Sequence, residues 1–153
     1  MRQLAAAFSA SGVHSATSEM RRHLAFFLCA ALATCRQQSP EQKLLKEIDP
    51  AASWMATLQF AGEQWLANSV PTRFVRATVH AAQKDLKKTA RTVDQSQAAQ
   101  SLRDTVRRQI DVATAAAAAV DRAVQDNDRR TVAMSVQRFA AAHEVLRKLE
   151  ESR

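Results

Sequence analysis

Tyrosine is missing from this chain, glycine occurs only twice, cysteine twice and proline three times. After residue 38 there is one glycine, Gly62, and the prolines are Pro40, Pro50 and Pro71. With so few breakers and so much alanine, the chain reads as helix nearly throughout. No apolar/polar alternation bounded by turn residues appears, which argues against strands. No cysteine follows Cys35, so residues 36–153 have no internal disulfide, no CxxCH for haem attachment and no Cys/His zinc spacing. Only His80 and His143 follow Cys35, and no Glu-x-x-His is present, which excludes the usual di-iron bundle pattern. No serine has a histidine partner in a recognisable catalytic signature. The expectation is a protein that is not an enzyme, with no cofactor and no metal.

Long apolar runs are also lacking. The longest, Leu24 to Ala33 (LAFFLCAALA), has ten residues, whereas a bilayer-spanning helix needs about 20. What flanks it is informative. Residues 20–23 are MRRH, and residues 32–35 are LATC, followed by polar RQQSP. A basic start, a short apolar core and a small-residue exit form a secretory signal peptide. Its exit, Leu32-Ala33-Thr34-Cys35, resembles the lipobox of bacterial lipoproteins, with Thr34 standing where that family has Gly, Ala or Ser. The resemblance covers residues 20–35. It implies that Cys35 becomes the mature N-terminus and carries acyl chains such as palmitate, a stable anchor once two or three chains are present. Arg36, being other than Asp, implies the outer membrane, facing the periplasm. The alternatives are a secreted periplasmic domain and an ordinary apolar helix of a cytosolic protein. Residues 1–19 read as an upstream extension, with Met20 as the start.

The expected division is therefore 1–19 extension, 20–34 signal peptide, 35–49 lipidated cysteine with tether and short helix, and 50–153 helical domain. After Cys35 there are 19 Lys and Arg against 14 Asp and Glu, a net charge of +5. This favours an acidic envelope protein or an anionic lipid surface as partner. Nucleic acid is a poor match for an exported chain. Self-association is left open.

Ser39-Pro40-Glu41-Gln42 has the form of a helix N-terminus, which predicts a short helix over 40–48 and a break at 49. A helix over 50–68 follows. Trp54, Leu58, Ala61 and Trp65 line one face, with Ala51, Met55 and Gly62 beside them. The two tryptophans pack the core or line a ligand groove. The next helix, 71–93, has an apolar stripe of Val75, Val79, Ala82, Leu86, Ala90 and Val93, with Phe74 and Thr78 alongside. Its other stripe is basic: Arg73, Arg76, His80, Lys84, Lys87 and Arg91 step by three or four residues down one face. That ladder is the candidate partner-binding site. The bland alternative is a solvated face, and Asp85 beside it weakens the charge.

A helix over 96–126 carries the seam Leu102, Val106, Ile110, Ala113, Ala117, Val120 and Val124. The last, 129–151, carries Val132, Val136, Phe139, His143 and Leu146, with Leu149 near its end. Short connections between four such helices predict an all-α, antiparallel, up-down-up-down four-helix bundle. A long three-helix coiled bundle is the runner-up.

In such a bundle Met55 and His143 fall at one level. That geometry resembles cytochrome b562, a periplasmic bundle with Met and His as axial haem ligands. The resemblance implies haem or small-ligand binding through these two residues. The alternative is a core histidine satisfied by a polar neighbour. The leading expectation is a non-enzymatic, lipid-anchored helical module of the envelope that binds through the basic ladder or the tryptophan-bearing helix.

Overall fold

The computed structural model describes residues 38–152. They form an all-α helical bundle of five helices: α1 (Pro40–Glu47), α2 (Asp49–Leu66), α3 (Thr72–Gln95), α4 (Gln100–Gln125) and α5 (Arg129–Glu151). Each long helix packs on the next, and α5 closes against α2. The cross-helix contacts give the directions. Trp54 meets Asp85 and Trp65 meets Thr72, so α2 and α3 run antiparallel. Arg76 meets Asp121 and Arg107 meets Asp94, so α3 and α4 do too. Gly62 lies against Val136, and Arg129 binds Leu66, which orients α5 against α2 in the same way.

The helix ends follow from side-chain chemistry. Ser39 and Gln42 form a reciprocal capping box: the Gln42 amide donates to Ser39 Oγ at 3.2 Å and the Ser39 amide to Gln42 Oε1 at 3.3 Å. Pro50 removes an amide from the first turn of α2, and the break falls at Ile48, one residue earlier than expected. The chain has no glycine to end α2 or α4. Asn68 and Asn127 take the left-handed conformation instead, with φ of 58° and 56°. Asparagine tolerates that region better than most residues. The Ser69 amide then reaches Gln64 O, and the Asp128 amide reaches Ala123 O, each at 2.8 Å, closing six-residue helix-end loops. Asp128 accepts from the Thr131 amide at 3.0 Å and so caps α5.

Four seams meet in one core. Met55, Leu58, Val79, Leu86, Val106, Ile110, Phe139 and Leu146 are at most 2 % exposed. The stripes expected on α2, α3 and α4 are largely buried, with Leu102 and Trp54 partly buried at the margin. Three expectations are corrected. Phe74, placed alongside the α3 stripe, is 48 % exposed. Helix α4 begins at Gln100, not 96, because residues 96–99 form a link. The α5 seam is Val132, Ser135, Phe139, Ala142 and Leu146, while Val136 and His143 lie half-buried beside it. Ser135 accepts this burial because its hydroxyl donates to Thr131 O at 2.8 Å.

Helix α1 plugs one end of the bundle. Leu44 and Ile48 are fully buried and Leu45 nearly so. Glu41 Oε1 accepts from the Ala99 amide at 3.3 Å, tying α1 to the start of α4. The carboxyl of Glu41 lies below its ordinary range, first through its own backbone amide, then through Ser39 and Ala99.

Candidate interaction surface

The inward face of α3 is fixed by Val75, Val79, Ala82, Leu86, Thr89, Ala90 and Val93, all buried. At 100° per residue this seam sends Arg73, Arg76, His80, Lys84, Lys87 and Arg91 to the far side. Arg76 is partly covered and the other five are exposed. The face is not uniformly free. Arg76 Nε lies 3.0 Å from Asp121 Oδ1 of α4, and His80 Nε2 lies 3.6 Å from the same oxygen. Among the described residues, Arg73, Lys84, Lys87 and Arg91 have no carboxylate within 4 Å.

Asp85, expected to weaken the strip, is turned away from it. Its Oδ2 accepts the Trp54 indole N–H at 2.9 Å, across the α2–α3 boundary. Asp94 is also occupied, at 2.7 Å from Arg107 Nη1 of α4. Both carboxylates of α3 are thus spent on neighbouring helices. The sequence reading missed two members of this surface. Exposed Lys88 adjoins Lys84 and Lys87, and its charge alone was the available signal. Asp121 lies 45 residues from Arg76, and only the packing register brings the two together.

The tryptophans are each engaged by side chains of neighbouring helices or their links. Trp54 is held by Asp85. Trp65 donates to Thr72 Oγ1 at 3.1 Å, and the Arg129 guanidinium stands 5.6 Å from the centre of its ring, a cation–π distance. The guanidinium also donates to Asn68 Oδ1 at 3.2 Å and to Leu66 O. Both indoles therefore tie α2 to neighbouring helices.

Met55 and His143 lie at one level. The register that sets Gly62 against Val136 carries, seven residues along each helix, to this pair. Only Met55 is on a buried seam; His143 is half-buried beside one. Met55 shares one buried core with Leu44 of α1 and with Ile48 just after it, all three with no exposed surface. Met55 has no accessible surface, so the described residues leave no space against it for a porphyrin.

The described residues include two open clefts. One, of about 480 Å³, lies between α1 and the end of α3, lined by Gln38, Pro40, Lys43, Glu47, Thr92, Gln95, Ser96 and Gln97. The other, of about 230 Å³, lies at the α4–α5 turn, between Arg122, Asp126, Asp128 and Thr131. Neither is lined by Met55, His143 or a nucleophile–histidine pair. The buried hydroxyls of Thr89 and Ser135 donate to carbonyls of their own helices. Among the described residues, no group of three His, Cys, Asp or Glu side chains is placed to hold a metal. No described helix is long and apolar enough to cross a membrane. The residues read as an extension, signal peptide and lipobox, 1–35, lie outside the described residues. No family model, curated protein or solved structure matches the chain.

Proposed function

We propose that this chain is a non-enzymatic, lipid-anchored protein of the bacterial envelope. Its helical bundle presents the outer face of α3 to an acidic component of its surroundings. The observation that carries the reading is the charge on that face: Arg73, Lys84, Lys87 and Arg91 stand without a carboxylate in reach, while both acids of α3 are engaged elsewhere. A solvated face that served only solubility would gain from interspersed charges of both signs. The leader-like residues 20–35 supply the address: export, cleavage and acylation of Cys35, with the outer membrane facing the periplasm as the destination.

Mass spectrometry of the N-terminus of protein recovered from bacterial membranes tests the address. A diacyl or triacyl Cys35 is the expected result. An intact, unacylated chain in the cytosol would sink the reading. Charge reversal at Lys84, Lys87 and Arg91 tests the face. Loss of copurifying partners or of membrane retention, with acylation intact, is expected.

A further inference from the structure

The free cations of α3 are not spread evenly. Arg76 and His80 share Asp121. Lys84, Lys87, Lys88 and Arg91 have no carboxylate within 4 Å among the described residues. These four fall within two turns, roughly 11 Å of helix. They approach the end of α3 that forms one wall of the larger cleft. The opposite wall is Gln38, Pro40, Lys43 and Glu47, where the described chain begins. Three residue steps separate Cys35 from Gln38, a reach of at most roughly 11 Å however they run. A lipid on Cys35 would tether the bundle to a bilayer through that short stretch.

The strip also lacks exposed apolar anchors of the kind that centre protein interfaces. Hot spots centre on buried aromatic or arginine anchors in pockets. Among the described residues the exposed large apolar ones are Phe60, Phe74, Val112 and Met134, and none is among residues 84–91. What remains is a linear array of four cations. Clusters of four to eight Lys and Arg on a helix beside a membrane attachment suit anionic head groups. Such contact is weak alone and gains from a tether that raises the effective concentration.

We infer that Lys84, Lys87, Lys88 and Arg91 rest on an anionic phospholipid surface, so that the anchored bundle lies against its bilayer. This orientation rests on the proposed anchoring at Cys35. The electrostatic contact does not, and it is read on added vesicles. The full chain is mixed with vesicles of phosphatidylcholine, with and without phosphatidylglycerol. Lysine acetylation is then followed residue by residue. Lys84, Lys87 and Lys88 should react several-fold more slowly only when phosphatidylglycerol is present, with Lys148 unchanged.

The partition ratio between the two vesicle types gives a second readout. Lys84→Glu, Lys87→Glu and Arg91→Glu together should lower it by about a hundredfold, at roughly fivefold per cation. The matched set Arg130→Glu, Arg138→Glu and Lys148→Glu should lower it less than about tenfold, because these residues lie on α5. All six positions are exposed, and unchanged helicity by circular dichroism confirms folding. Equal losses from the two sets, uniform protection of all lysines, or no preference for phosphatidylglycerol overturns the inference. A strip that serves an acidic protein gives that last result. Failure here leaves acylation of Cys35, measured separately, standing.

Discussion

Gly62 is the residue on which the α2–α5 contact closes. A Cβ built there would stand 2.6 Å from Val136 Cγ2, too close for any real contact, and valine is stiff in a helix. Alanine ordinarily stabilises a helix over glycine by about 1 kcal/mol. Overpacking costs about 1 to 3 kcal/mol. Gly62→Ala is therefore expected to destabilise the bundle by about 1 kcal/mol. With Val136→Ala already in place, the same change should stabilise. Denaturant midpoints of the four proteins check this, and a stabilising Gly62→Ala in the native background would contradict the packing. A second residue-scale effect lies at Glu144. Its carboxyl is lowered to about 2, first by the Arg147 hydrogen bond, with Arg147 also bridging to Glu151. A lowered pKa stabilises the fold above the ordinary value of 4.5, and the contribution disappears as pH falls toward 2. The difference in denaturation midpoint between the native protein and Glu144→Gln should be greatest near neutrality and close by about pH 2. The pair is exposed, so the effect is small.

At the scale of elements, α1 shows how little local propensity decides. Eight residues are too few to form an isolated helix in water. It persists because Leu44, Leu45 and Ile48 are buried and Glu41 holds the Ala99 amide. Leu44→Ala should cost about 3 kcal/mol, as much as a central core truncation, although α1 is peripheral. A loss below about 1 kcal/mol would show that α1 is not part of the cooperative core. The long helices were legible because Val75, Val79, Leu86, Val106 and Ile110 mark their inward faces without ambiguity. Helix α5 misled because its larger apolar residues are not all inward. Val136 and His143 look like seam positions, yet Ser135 and Ala142 take the interior, where small side chains fit against the neighbouring helices. The basic stripe of α3 was visible from spacing alone. Which of its members are free was not, since that depends on Asp121 and on the turning of Asp85 toward Trp54. Those partners come from other helices, and no local pattern encodes their register.

For the whole molecule, charge is distributed by helix. Helix α3 carries six Lys and Arg against Asp85 and Asp94, while its neighbour α2 carries Asp49 and Glu63 and no cation. The bundle is thus polar across its width, which orients it in any field from a charged surface. Raised salt should weaken attachment of the bundle to an anionic surface while leaving an acylated N-terminus in the bilayer, because exposed charges are screened beyond about 10 Å at 0.1 M. Limited access of α3 lysines to reagent in intact envelopes, restored by salt, is the expected readout.

The ties made by the two indoles have one more consequence. With no tyrosine in the chain and both tryptophans in α2, intrinsic emission reports a single helix. One fluorophore faces a carboxylate at 2.9 Å and the other a guanidinium at 5.6 Å, so opposite local fields act on two otherwise identical dyes. Separating α2 from α3 would dim or shift the first, and freeing the start of α5 would alter the second, giving an unlabelled optical record of which joint opens.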